Sequence, residues 1–135
     1  MRKTNTGFSL IEIMVVIVII GLLASVSTVS VIQFLDKGRV TTATSQMTEI
    51  VKALDLYRMQ SGSYPSTSKG LKVLTESKSG QPLMKEIPKD PWGNEYKYRS
   101  TGGSKYTLTC YGSDGREGGT GIEEDIVMKS DAKSE

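Results

Sequence analysis

The feature that most constrains this chain is an apolar run near its start that contains a single carboxylate. The run GFSLIEIMVVIVIIGLLA extends from Gly7 to Ala24, and Glu12 lies inside it. A charged side chain at the centre of a membrane span costs roughly 2.5–3.5 kcal/mol on insertion scales. If this segment enters a bilayer, Glu12 therefore needs a partner.

The segment is long enough to cross a membrane. Weakly polar residues extend the apolar run to about Ile32, which suffices for a hydrocarbon core roughly 30 Å thick. Arg2 and Lys3 precede the run and favour a cytoplasmic N-terminus. A plain signal anchor fits this composition, but it leaves Glu12 unexplained.

The residues GFSLIE, followed by a long apolar stretch, resemble the leader of type IV pilins and type II secretion pseudopilins. The resemblance implies that a prepilin peptidase cleaves between Gly7 and Phe8, and that the new N-terminus on Phe8 is methylated. The resemblance further implies that Glu12 becomes the fifth residue of the mature chain and pairs with the ammonium of Phe8 in a neighbouring subunit. Such pairing neutralises a buried carboxylate, which makes Glu12 an assembly residue.

Helical spacing continues beyond Ile32 and predicts one helix from about Phe8 to Gln60, roughly 80 Å long. The sequence has no proline before Ser63, and Gly62 is a plausible helix stop. The apolar residues that recur at intervals of three or four are Val40, Ala43, Met47, Ile50, Leu54 and Tyr57.

The second half of the chain has the pattern of a small antiparallel sheet. The segments NEYKYRS and KYTLTCYG alternate across a glycine-containing loop at Gly102–Gly103, which predicts a hairpin. A short helix is expected from Lys69 to Thr75 and a third strand near Asp125 to Met128. The tail KSDAKSE is expected to be disordered.

Three further segments, in their order along the chain, resemble the major pseudopilin of the type II secretion system. They are SGSYPSTSKGLKVL, IPKDPWGNEYKY and YGSDGREGGTGIEEDI. The implied fold is α+β and type IV pilin-like: a long N-terminal helix packs on a small antiparallel sheet, with a C-terminal metal-binding loop. The expected division is a leader over 1–7, a transmembrane and polymerisation helix over 8–32, and a periplasmic domain over 33–135.

The segment SDGREGGTGIEED is rich in glycine and acidic residues. Glycines allow sharp turns that aim carbonyl oxygens inward, and carboxylates are ligands that calcium prefers. Asp114 and Asp125 match the first and last places of an EF-hand loop, but Arg116 and Gly118 occupy places that need oxygen side chains. An EF-hand is therefore disfavoured, and from the residues alone a solvated turn is favoured.

The resemblance reverses that preference, because major pseudopilins bind calcium in the corresponding loop. It implies Asp114 and Asp125 as the principal ligands and Glu124 as a third carboxylate. The carbonyls of Tyr111 and Arg116 complete the implied ligand set. The metal would cross-link a loop that has little apolar content of its own.

Composition argues against catalysis and against nucleic-acid binding. The chain has no histidine and a single cysteine, and it shows no nucleophile or phosphate-binding motif. Removing Arg2 and Lys3 from the 17 basic residues leaves 15, which balance the 15 acidic residues, so no basic patch is indicated.

The implied function is a structural subunit of a periplasmic pseudopilus that drives type II protein secretion across the outer membrane. The implied partners are further copies of the chain, minor pseudopilins, a prepilin peptidase and an inner-membrane platform with its cytoplasmic ATPase. The implied location is a single pass through the inner membrane with the C-terminal domain in the periplasm. Two alternatives stay open: a type IV pilin used in adhesion or DNA uptake, and a non-polymerising membrane-anchored calcium-binding module. The lone Cys110 argues against the adhesive pilin, which usually closes a C-terminal loop with a disulfide.

Overall fold

The computed structural model describes residues 7–76, 81–100 and 103–130, without the side chains of 26–30. Three parts of the predictions lie outside the described residues: positions 1–6 of the expected leader, position 102 of the hairpin loop, and the tail from position 131. The described chain separates into two compact units, one up to Asp36 and the other from Lys37 onward.

The predicted long helix is confirmed. Helix α1 spans Leu10–Ser61. It ends where Gly62, at φ 80°, donates its backbone N–H to the Arg58 carbonyl at 2.8 Å. A positive φ is easily adopted by glycine, so this residue closes the last turn.

The core of the second unit lies along the predicted stripe of α1. Ala43, Met47, Ile50 and Leu54 are fully buried, whereas Val40 and Tyr57 at the ends of the stripe are only partly buried. Burial of this face removes apolar surface from water, which stabilises the folded state by about 25 cal/mol per Å² of apolar surface buried. The stripe therefore anchors the sheet and the loops to the helix.

Three antiparallel strands form the sheet, in the order β1-β2-β3. Their bounds are Lys97–Ser100 for β1, Tyr106–Cys110 for β2 and Ile126–Lys129 for β3. The hairpin and the third strand are thus confirmed, and Lys129 belongs to β3 instead of the tail. The predicted helix at Lys69 to Thr75 is shorter and tighter, a 3₁₀-helix over Leu71–Leu74.

Tyr98 in β1 and Tyr96 just before this strand are buried, and the hydroxyl groups of both donate hydrogen bonds. The Tyr96 hydroxyl donates to Gln46 Oε1 on α1 at 2.6 Å, and the Tyr98 hydroxyl donates to the Pro65 carbonyl at 2.7 Å. The Tyr106 ring packs edge-on against Tyr64, with centroids 4.7 Å apart. These bonds satisfy polar groups that burial would otherwise leave unpaired.

The unit up to Asp36 consists of the first part of α1. The described apolar side chains of this part of the helix are exposed on every side, and Leu10 is about four-fifths exposed. Phe8, just before the helix, is exposed to the same extent. A membrane span is expected over 8–32. Among the described residues, however, no helix combines the length and the hydropathy of a membrane-crossing segment.

Candidate functional site

The expected cleavage site lies in irregular backbone just before α1. Gly7, Phe8 and Ser9 precede the helix and are exposed. A peptide bond outside a helix and open to solvent is accessible to a peptidase. The Gly7–Phe8 bond therefore has the local setting that processing requires.

Glu12 has a local partner that sequence reasoning missed. Its backbone N–H donates to Ser9 Oγ at 3.3 Å, while the Ser9 backbone N–H donates to Glu12 Oε2 at 3.4 Å. This reciprocal pair is a capping box, in which two of the unpaired N–H groups at a helix start are satisfied. The sequence signal was present in the spacing S-x-x-E of Ser9 to Glu12.

The glycine-acid loop leaves the sheet and returns to it at neighbouring positions. Strand β2 ends at Cys110, which pairs with Ile126 at the start of β3. Between them lies a 3₁₀-helix over Gly121–Glu123, and Ser113 N–H donates to the Ile122 carbonyl at 2.9 Å. The loop therefore leaves the sheet at the end of β2 and returns to it at the start of β3, next to where it left.

Asp114 and Asp125 each hold a turn of this loop. Asp114 Oδ1 accepts the Arg116 backbone N–H at 3.1 Å, and Asp125 Oδ2 accepts the Gly118 backbone N–H at 3.0 Å. Asp125 Oδ1 is buried and accepts no hydrogen bond within the described part of the chain. A buried carboxylate oxygen without a partner is costly, so this atom marks a place where a cation would be stabilising.

The other three expected ligands, Tyr111, Arg116 and Glu124, differ from one another in position. Tyr111 and Asp125 line one groove of about 300 Å³, together with Glu117, which sequence reasoning did not single out. The same groove is also lined by three basic side chains, those of Lys97, Arg99 and Lys129. Arg116 and Glu124 are exposed. Over residues 7–76, 81–100 and 103–130, no three acidic or cysteine side chains cluster closely enough to hold a metal ion.

Close backbone approach fixes the shape of the loop at Gly112. This residue has φ 66°, and a Cβ at this position would lie 2.6 Å from the Ile122 carbonyl oxygen. A side chain here is therefore excluded both by conformation and by space. The neighbouring hydrogen bond from Ser113 to Ile122 joins the two arms of the loop.

Comparisons with known proteins match both ends of the chain. Residues 30–129 match the family model for protein G of the type II secretion system. Residues 2–28 match the prokaryotic N-terminal methylation motif. In a type II secretion protein this motif implies peptidase processing and pilus-like assembly, and it suggests a membrane-anchored or periplasmic protein.

The relatives have similar lengths to this chain. The type II secretion system core protein G of Pseudomonas aeruginosa is 39% identical, over 93% of this chain and 95% of that protein. Its counterpart in Vibrio cholerae is 40% identical, over 93% of this chain and 92% of that protein.

A solved structure shares the fold. It is the crystal structure of the major pseudopilin from the type 2 secretion system of enterohaemorrhagic Escherichia coli. That structure aligns with a TM-score of 0.55 at 26% identity, over 68% of this chain and 87% of the other. With the processing motif, the long helix and the three-stranded sheet in place, the chain belongs to the protein G family of the type II secretion system, the major pseudopilins.

Proposed function

We propose that this chain is a structural subunit that polymerises into a periplasmic pseudopilus and thereby helps to drive proteins across the outer membrane. The observation that carries the proposal is the start of α1, where apolar side chains are exposed on every side directly after an accessible Gly7–Phe8 bond. Exposed apolar surface of this extent needs cover from lipid or from other copies of the helix. Before assembly, residues 8–32 span the inner membrane once, with the C-terminal domain in the periplasm.

In this proposal Glu12 takes part in both the helix start and the assembly. Its Oε2 atom accepts the Ser9 backbone N–H. Cleavage before Phe8 creates an ammonium group, and this cation on one copy pairs with Glu12 of the next. Because an unpaired carboxylate in lipid is costly, the pairing favours one register of entry.

The subunit has a structural and non-enzymatic role in this proposal. The energy for assembly comes from partners, namely a cytoplasmic ATPase acting through an inner-membrane platform, and minor pseudopilins complete the filament. A prepilin peptidase prepares the subunit. These partners follow from the family and not from contacts in this chain.

We also propose that the glycine-acid loop binds calcium. The unpartnered, buried Asp125 Oδ1 fits a hard cation, and Asp114 lies in the same loop. Because no three carboxylates cluster within the described part of the chain, backbone carbonyls such as those of Tyr111 and Arg116 would supply further oxygen ligands, with Glu124 at the rim. Calcium bound there stabilises the folded loop.

Intact mass tests the assembly proposal. The protein purified from the membranes of its own cells is expected to lack Met1–Gly7 and to carry one added methyl group. An uncut N-terminus in cells with an active prepilin peptidase would indicate a plain membrane anchor, and the filament proposal would then fall.

Thermal unfolding tests the calcium proposal. A soluble fragment that begins at Gln33 is expected to melt at a lower temperature in chelator than in millimolar calcium, because calcium binds only the folded loop. Asp125→Ala should abolish this difference. Glu86→Ala, an exposed carboxylate outside the loop, should preserve it. Equal melting temperatures of the unsubstituted fragment in both buffers would exclude the calcium site.

A further inference from the structure

The turn at residues 90–94 is a rigid element organised around one buried carboxylate. Asp90 is 5% exposed. Its Oδ1 atom accepts the backbone N–H groups of Trp92 at 3.0 Å and Asn94 at 2.8 Å. The Asp90 N–H donates to the Asn94 carbonyl at 2.9 Å, and the Gly93 N–H donates to the Asp90 carbonyl at 2.9 Å. Four hydrogen bonds around one residue leave this turn little conformational freedom.

The same carboxylate ties the turn to the strand that leads into the glycine-acid loop. The Cys110 thiol donates to Asp90 Oδ2 at 3.4 Å. Cys110 is fully buried and is the last residue of β2. The turn is therefore fixed relative to the point where the loop begins.

The Asn94 side chain extends from this turn to the first half of the loop. Its Nδ2 atom donates to the Gly112 carbonyl at 3.3 Å. Its Oδ1 atom lies 3.1 Å from the place where a Cβ of Gly115 would stand. Asn94 thus donates a hydrogen bond to the loop before Asp114, a residue of the proposed metal site, and lies close to the loop after it.

We infer that Asn94 is a positioning residue that holds the Gly112–Gly115 segment in the conformation that binds calcium. The inference rests on the calcium proposal above. A loop with this many glycines loses much conformational entropy when it becomes ordered. A contact that orders the loop beforehand lowers the entropic cost of binding, as supporting residues around metal ligands do elsewhere. Asn94 itself is not a metal ligand in this inference.

Calcium titration of the full-length chain in detergent micelles tests the inference. The fluorescence of Trp92, the single tryptophan of the sequence, reports on the turn two residues from Asn94. Asn94→Ala is expected to weaken calcium binding by about tenfold or more, as loss of such supporting contacts typically does. Glu95→Ala, at the exposed neighbouring position, should bind calcium as the unsubstituted chain does.

A second variant separates positioning from charge and from general destabilisation. Asn94→Asp keeps the size of the side chain but loses the N–H donor to Gly112. If the donor positions the loop, Asn94→Asp should bind calcium more weakly in spite of its added negative charge. A purely electrostatic role predicts tighter binding, and a purely structural role predicts a lower melting temperature in chelator with calcium affinity unchanged. Either of those results would overturn the inference.

The outcomes also distinguish this inference from the proposal on which it rests. If the unsubstituted chain binds calcium and Asn94→Ala binds it with equal affinity, only the role of Asn94 is refuted. If the unsubstituted chain does not respond to calcium, the calcium proposal fails and the inference fails with it.

Discussion

At the scale of single residues, burial suppresses ionisation of hydroxyl and thiol groups around the sheet. Burial raises the pKa of Tyr106 to about 12, from an ordinary value of 10.0. Burial also raises the pKa of Cys110 to about 11, from 9.0, and the hydrogen bond to Asp90 acts in the same direction. The pKa values of Tyr64 and Tyr98 are raised as well, chiefly by burial. These groups ionise more readily in the unfolded chain than in the folded one.

The first prediction is a loss of stability at alkaline pH. Because the folded-state pKa values are raised, the stabilisation they represent is fully present below about pH 9. It is lost as the pH rises through 11 and 12, since the unfolded chain releases its protons first. Urea unfolding of the Gln33 fragment should give a constant free energy of unfolding up to about pH 9 and a falling one above it.

A conservative variant identifies one source of this loss. Tyr106→Phe keeps the ring against Tyr64 and removes the group that ionises. Its free energy of unfolding is expected to fall less steeply between pH 10 and 12 than that of the unsubstituted fragment. Identical slopes would show that Tyr106 does not contribute to the alkaline transition.

At the scale of elements, the burial of apolar side chains changes along helix α1. Up to Asp36 its described apolar side chains are exposed, whereas beyond Lys37 the middle of one stripe, from Ala43 to Leu54, is buried. Helical periodicity alone does not separate these roles, because both stretches are helical. The distribution of polar residues separates them: the second stretch is polar on its outer face.

The second prediction compares two apolar residues on that second stretch. Leu54 is fully buried and Met59 is 81% exposed. Leu54→Ala should lower the free energy of unfolding by about 2–5 kcal/mol, through lost burial and the cavity left behind. Met59→Ala should change it by no more than about 0.5 kcal/mol. Urea unfolding of the Gln33 fragment measures both, and similar values for the two variants would contradict the position of the core.

At the scale of the whole molecule, the described chain buries one core and leaves an apolar helix start uncovered. The core lies in the unit from Lys37 onward, while the unit up to Asp36 exposes its apolar side chains. The capping box at Ser9 provides hydrogen-bond acceptors for backbone N–H groups at the helix start, but it does not cover this apolar surface. In the proposed function, lipid or other copies of the helix cover this surface.

The third prediction concerns assembly through Glu12. Glu12→Gln retains a capping-box acceptor, since glutamine also serves at this position, but it removes the charge that we propose to pair with the Phe8 ammonium. We expect normal loss of Met1–Gly7 by mass and strongly reduced filament formation by electron microscopy of sheared cells. Glu49→Gln, an exposed carboxylate later in α1, is a matched control for a change of charge on the same helix. Filaments at normal abundance in Glu12→Gln would show that the charge is dispensable.

Much of the fold follows from local sequence pattern, because helices and strands have fixed periods. The stripe from Ala43 to Leu54 predicts the buried face of α1, and the alternation through Tyr106 and Cys110 predicts the buried face of β2. Local signals still needed the right interpretation: the S-x-x-E spacing at Ser9 indicated a capping box. The short helix before Thr75 was expected, but not its tighter 3₁₀ geometry.

The sequence by itself determined the processing motif, the long helix, the hairpin and the acidic loop, since each depends on residues that are neighbours along the chain. Only the tertiary structure brought Asn94 to Gly112, 18 positions away, and Asp90 to Cys110, 20 positions away. It also left Asp125 Oδ1 buried without a hydrogen-bond partner in the described chain. Such contacts arise when packing on the helix closes long loops, and no periodicity along the chain encodes which distant groups then meet.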